Sequence, residues 1–178
     1  MAVINKKICL VGDFGVGKTS LIRRFVDAQF SDQYLSTVGV KISKKQVDFP
    51  ADTVAKAPSV NLLIWDLEGH TKFKVIAPSY LQGSSGAIIV ADLTKDETIE
   101  RLGEHIKLFQ SVNAEGSMII ALNKVDLVEP EKLDALVKLA EVHSTTVLQI
   151  YVTSAKTGQD VDNMFLRIAE KNCLDIYY

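Results

Sequence analysis

Apolar residues in this chain fall into short continuous runs, separated by longer stretches in which they recur at helical spacing. The runs at 4–11, 41–49, 60–66, 87–92, 117–122 and 147–152 predict strands, and the patterns at about 18–28, 72–81, 95–112, 130–142 and 160–171 predict helices. Ile88-Ile89-Val90-Ala91 and Met118-Ile119-Ile120-Ala121 show no polar alternation, as in parallel strands covered on both faces. Segments 41–49 and 60–66 follow one another without a helix, which predicts an antiparallel pair at one edge. Their link, Pro50 to Pro58, is polar and proline-bounded and reads as a surface loop. Strands alternating with helices give a doubly wound α/β domain: a six-stranded, mostly parallel sheet with one antiparallel edge strand and about five helices. Its ligand belongs at the carboxyl ends of the strands.

Nothing divides the sequence: there is no repeat, low-complexity tract or linker, so residues 1–178 read as a single domain. A net charge of −2 gives no electrostatic reason to expect nucleic acid or an acidic membrane as partner. Cys9 and Cys173 are isolated, which fits a reducing compartment and no disulfide framework. No apolar run approaches membrane-spanning length and the N-terminus has no signal-peptide core. Residue 2 is Ala2, outside the myristoylation pattern, and Cys173 stands too far from the end for prenylation. The expectation is a cytoplasmic protein with no intrinsic membrane anchor.

The chemistry centres on Gly12-Asp13-Phe14-Gly15-Val16-Gly17-Lys18-Thr19, a Gly-x4-Gly-Lys-Thr loop between a predicted strand and a predicted helix. Gly12 and Gly17 let the backbone curl so that successive N–H groups face inward as an anion nest. The helix behind adds its unpaired donors and the positive end of its dipole. Lys18 can reach the β- and γ-phosphates of a nucleotide, and the Thr19 hydroxyl can ligate Mg2+. Further polar groups stand at other strand ends. Asp66, in Trp65-Asp66-Leu67-Glu68-Gly69-His70, is suited to hold Mg2+ directly or through water; read alone it is also an ordinary strand-end turn residue. Gly69 can bring its N–H to a γ-phosphate. Asn123-Lys124-Val125-Asp126 and Thr153-Ser154-Ala155-Lys156 follow the fifth and sixth strands. Asp126 can accept from the ring N–H and the exocyclic amine of guanine, a pair that adenine lacks, and such a site can reject the wrong base by roughly 10^4–10^5. Lys124 can lay its stem along the base, and the Ala155 N–H can donate to the guanine carbonyl.

In order and at nearly the expected spacings, these motifs resemble those of the Ras superfamily of small GTPases, most closely its Rab-type branch. Tyr34-Leu-Ser-Thr37-Val-Gly39-Val is similar to the family's first switch, and Ser79-Tyr80-Leu-Gln-Gly83-Ser-Ser-Gly86 to the stretch after its second. The resemblance covers essentially the whole chain. It implies the P-loop NTPase fold of small G proteins, binding of GTP and GDP with Mg2+, and hydrolysis of GTP. Protein effectors and regulators would engage switch segments 31–41 and 67–80. It further implies nucleotide contacts from Gly15, Val16, Gly17, Lys18, Thr19 and Ser20, and from Asn123, Lys124, Asp126, Ser154, Ala155 and Lys156. Thr37 would bind Mg2+ by its hydroxyl and the γ-phosphate by its N–H, beside Thr19 and Asp66 as metal ligands. Phe30 would pack on the guanine and Tyr34 would cover the phosphates. Lys18, Thr37, Gly69 and His70 make up the implied catalytic set.

Three positions depart from the family pattern around the γ-phosphate. His70 stands where most members have the glutamine that orients the attacking water; the same Asp-x-x-Gly-His occurs in translation GTPases, where the histidine is catalytic. A side chain turned to solvent is the alternative. Phe14 stands where many members carry glycine, and a ring there can block an incoming arginine finger, a group worth about 10^3–10^5 in rate. Glu68 adds a carboxylate where a small residue is usual. Together they predict slow hydrolysis. A P-loop kinase would need a lid with phosphate-binding arginines, whereas Arg23, Arg24, Arg101 and Arg167 are scattered over predicted helices. A GTP-loaded scaffold that hardly hydrolyses stays open on account of His70 and Phe14. His105 and His143 read as surface or structural residues away from the motifs.

Overall fold

The computed structural model describes residues 3–33, 36–49, 59–67 and 77–174. Six strands form one sheet: β1 (Ile4–Gly12), β2 (Val40–Val47), β3 (Val60–Leu67), β4 (Gly86–Asp92), β5 (Ser117–Asn123) and β6 (Gln149–Val152). Their spatial order is β2-β3-β1-β4-β5-β6. All neighbours run parallel except β2 and β3, which pair antiparallel from Val40 opposite Leu67 to Val47 opposite Val60. The predicted edge pair and the fold class are therefore both observed. The Pro50–Pro58 loop lies outside the described residues.

The two-residue period of the strands sorts the core into two layers. Ile8, Leu10, Ile88, Val90, Ile119 and Ala121 point to one face, where α1 (Lys18–Asp27) and α6 (Val161–Leu174) cover them. Cys9, Val11, Ile89, Ala91, Ile120 and Leu122 point to the other, beneath α2 (Ala77–Leu81), α3 (Asp96–Glu100), α4 (Leu102–Val112) and α5 (Pro130–Glu141). Burial on both sides is why β4 and β5 carry unbroken apolar runs. On the first face, Phe25 of α1 stacks on Phe165 of α6, with ring centroids 4.2 Å apart and planes 9° from parallel.

Predicted and observed boundaries agree within a few residues, with one change of substance. The helix predicted at 95–112 is two helices, broken where Arg101 takes φ −82°, ψ −3° and serves as the end of α3 and the start of α4. Hydrophobic spacing continues through the break, because Ile99, Leu102, Ile106 and Phe109 all reach the same core. A break in backbone geometry that leaves the apolar stripe intact is invisible to periodicity. Of the helix predicted at 72–81, only α2 lies within the described residues.

Parallel strands leave their carboxyl ends along one edge of the sheet, where Gly12, Asp66, Asp92, Asn123 and Val152 end or nearly end β1, β3, β4, β5 and β6. Among the described residues, no helix is long and apolar enough to cross a membrane. Both cysteines are buried free thiols.

Replacing the stacked ring, Phe165→Ala, empties a fully buried position that bridges α1 and α6. It is expected to cost about 3–5 kcal/mol of unfolding free energy, read by urea denaturation. A cost under about 1 kcal/mol would show that this layer repacks freely.

Candidate functional site

The glycine loop runs from the end of β1 into the first turn of α1. Gly17, at the head of the helix, has φ +101°, and a Cβ there would collide with Asn123 Nδ2. Glycine is thus required twice over, by backbone conformation and by close approach. No side chain caps the helix at this end, so its first-turn N–H groups stay available to an anion. Lys18 is buried, with Nζ donating to the carbonyls of Gly12 and Asp13, each at 2.8 Å. Burial pulls its pKa down to about 8, against the opposing pull of the Asp66 and Asp13 charges. An ammonium held this way calls for a strong anion in front of it.

Three oxygens meet beside Lys18. Thr19 Oγ1 lies 2.6 Å from Thr37 Oγ1 and donates to Asp66 Oδ2 at 2.5 Å; Thr37 Oγ1 stands 3.3 Å from the same carboxylate oxygen. Burial pushes the Asp66 carboxyl up, outweighing the Thr19 bond and the Lys18 charge. Its other oxygen, Oδ1, is buried and accepts no hydrogen bond from the described residues. A buried carboxylate oxygen without a donor, next to two hydroxyls, is a hard-oxygen donor set suited to Mg2+.

The loops after β5 and β6 complete the edge. Asn123 Nδ2 donates to the Val16 carbonyl at 3.0 Å, joining this region to the glycine loop. Its Oδ1 accepts from Thr153 Oγ1 and from the Ala155 N–H, both at the long distance of 3.3 Å. A ligand carbonyl can compete for so weak a bond to Ala155. Lys124 adopts a left-handed backbone, φ +70°, and its Nζ donates to the Gly15 carbonyl at 2.8 Å and to Asp92 Oδ2 at 2.6 Å. Asp126 sits on a 3-10 turn at 125–127, where Oδ1 accepts from Ser154 Oγ at 2.6 Å.

A cavity of about 330 Å3 opens between these parts, within the range of small-molecule sites. Of the residues singled out in the sequence, Gly15, Gly17, Lys18, Thr19, Ser20, Phe30, Thr37, Asn123, Lys124, Asp126, Ala155 and Lys156 line it, and so does Phe14. Val16 is a core residue that presents its carbonyl, and Ser154 stands behind Asp126. Tyr34, Glu68, Gly69 and His70 lie outside the described residues.

Sequence reading missed several supporting groups. Arg24 is not a scattered helix-surface arginine: Nε donates to the Ala155 carbonyl at 2.7 Å and Nη2 to that of Lys156, clamping the loop after β6. Asp92 is fully buried and holds Lys124; its place at a strand's carboxyl end was the available signal. His105 is not remote from the motifs. It is buried, with Nε2 3.0 Å from Asp13 Oδ1 in the glycine loop, while Arg101 Nη1 lies 3.1 Å from Asp13 Oδ2. Burial pushes the Asp13 carboxyl up, but the bond from His105 and the charges of His105 and Arg101 outweigh it and hold the group below its usual value.

The doubly wound sheet and its glycine loop define the P-loop class of nucleotide-binding domains. Comparison with known proteins narrows the class. The family model described as "Ras of Complex, Roc, domain of DAPkinase" matches residues 7–126. The GTP-binding protein ypt5 of Schizosaccharomyces pombe is 38% identical over 176 residues, covering 96% of this chain and 79% of that protein. Human Ras-related protein Rab-22A is 33% identical over 173 residues, covering 96% and 85%. Ras-related protein RABF2a of Arabidopsis thaliana is 35% identical over 173 residues, covering 94% and 81%. The chain belongs to the Ras-like small GTPases, with relatives of the Rab type. It binds GTP and GDP with Mg2+ and is a GTP hydrolase.

Two substitutions test the geometry. Arg24→Ala removes two charge-assisted bonds to successive carbonyls and frees the Ala155 loop, so GDP dissociation, followed with a fluorescent analogue, should quicken by about tenfold. An unchanged rate would show that the loop holds its shape unaided. Gly17→Ala should abolish measurable GDP retention, because backbone and Asn123 both exclude a side chain; retention within a few-fold of the parent would refute the close packing seen here.

Proposed function

We propose that residues 1–178 act as a single-domain, guanine-nucleotide-dependent switch that hydrolyses GTP slowly and engages protein partners through segments 31–41 and 67–80. The observation that carries the slow turnover is Phe14. Its side chain is 40% exposed, at the rim of the cavity and one residue before the loop glycine whose carbonyl Lys124 grips. A ring there crowds the approach to the end of the phosphate chain, where an activating protein would insert an arginine.

Within this reading Lys18 and the loop N–H groups bind and orient the phosphates, and Thr19, Thr37 and Asp66 hold Mg2+. That ion, when bound, offsets phosphate charge as the bond to the leaving oxygen weakens. Asp126, backed by Ser154, selects guanine; Lys124 and Phe30 pack against it, and Ala155 donates to its carbonyl. Gly69 would give its N–H to the γ-phosphate, His70 would position the attacking water and Tyr34 would cover the phosphates, roles that rest on the family resemblance. The partner surface is supported by exposed apolar side chains in and just beyond the first switch: Val38 is 85% exposed and Ile42, on edge strand β2, 53%. The two free thiols favour a reducing compartment such as the cytoplasm.

Single-turnover hydrolysis of GTP tests the proposal, with the parent chain run beside Phe14→Gly and His70→Gln after equal nucleotide loading. The parent should be slow, and Phe14→Gly should quicken its response to an arginine-supplying activator by at least tenfold. A parent as fast as ordinary Ras-like proteins, slowed by His70→Gln, would overturn slow turnover and assign the water to His70. If neither variant changes a near-zero rate and GTP co-purifies, the protein is a GTP-loaded scaffold and not a cycling switch.

A further inference from the structure

An acidic residue in a loop built to hold phosphates needs an account. Asp13 directly follows Gly12, and its own carbonyl accepts from the Lys18 ammonium. Its negative charge is felt at that ammonium. Any phosphate in front of Lys18 would be repelled by a carboxylate so close, unless that charge is turned away and compensated. The neighbours Phe14 and Gly15 line the cavity, whereas Asp13 is not among its lining residues. Its carboxylate points instead to α4 and is largely shielded, with 14% of the side chain exposed.

Both of its oxygens are occupied there. Arg101 Nη1 takes Oδ2 and His105 Nε2 takes Oδ1. A carboxylate only accepts, so Nε2 carries the proton and donates to Oδ1, while the guanidinium adds a permanent positive charge. The break between α3 and α4 contributes directly. Arg101 sits at the junction with its backbone carbonyl already accepting from the His105 N–H, so the two side chains, four residues apart, share the face that meets the glycine loop.

We propose that Arg101 and His105 form a charge clamp that holds the Asp13 carboxylate away from the phosphate cradle, so that Arg101 and His105 are positioning residues for nucleotide retention. The proposal rests on reading Gly12–Thr19 as the phosphate cradle. A plain structural staple between loop and helix would also break when Arg101 or His105 is changed. The two accounts part on the effect of the Asp13 charge. Under the clamp, releasing the carboxylate harms binding because it is negative, so removing the charge repairs the harm. Under the staple, removing the charge repairs nothing.

The experiment measures dissociation of a fluorescent GDP analogue from the full chain carrying Arg101→Gln with His105→Gln, with and without Asp13→Asn, at low and at physiological salt. Thermal unfolding of each variant checks the fold. The clamp predicts release about five- to tenfold faster in the double variant, a smaller effect at higher salt, and a return to within twofold of the parent when Asp13→Asn is added. Arg101→Gln alone, at a half-exposed side chain, should show part of the same loss and the same repair, and serves if the double variant does not fold. An unchanged release rate, or a loss that Asp13→Asn leaves in place, overturns the clamp. A parent chain that retains no GDP overturns the cradle reading and the clamp together.

Discussion

Burial of the Lys18 ammonium is the constraint on which the rest depends. A cation taken out of water must be met by carbonyls, by opposing charge or by a ligand. The chain supplies the carbonyls of Gly12 and Asp13, and places the Asp66 carboxylate close enough to raise the lysine's proton affinity. That arrangement requires a backbone able to wrap a side chain so closely, which explains the glycines. It also requires β1 and β3 to lie side by side with their carboxyl ends level, which the register of Leu10 opposite Asp66 provides. The apolar layers on either face of the sheet are what keep that edge rigid.

How much of this the sequence disclosed depends on how far apart the partners lie. Strands β4 and β5 were legible because burial on both faces forces unbroken apolar runs. The glycine loop and the Asn123 and Ser154 loops were legible because each is a local motif, with its chemistry inside a few residues. The supporting contacts were not. Arg24 meets Ala155 across 131 residues and His105 meets Asp13 across 92, so neither pairing leaves a local trace. His105 was misread for a further reason: a histidine on an amphipathic helix has the same periodicity whether it faces a core, solvent or a loop packed against that helix. The division of the helix at Arg101 was hidden likewise, since the apolar stripe passes through it unbroken.

Membership of the Ras-like family accounts for the fold and the nucleotide, and two neighbours in the glycine loop show how differently adjacent side chains can be placed beside the cavity. Phe14 and Asp13 are adjacent in the loop, yet they are disposed oppositely: the ring stands at the cavity rim, while the carboxylate is drawn back to α4. Sequence alone places both beside a phosphate site. Their opposite dispositions separate a residue that obstructs the site from one that is kept out of it.

The bond from Asn123 to the Val16 carbonyl, together with Lys124 on the Gly15 carbonyl, ties the loop after β5 to the glycine loop. The two halves of the pocket are therefore not modules. With the base and the phosphates held as proposed, a nucleotide that lets go by one end would remain tethered by the other, and the free end would find its place again at high local concentration. Escape would then require both ends to release together, so residence time would grow as a product of two grips and not as their sum. On that reading, parting Asn123 from the glycine loop would uncouple the two grips and shorten the residence without pulling the nucleotide out.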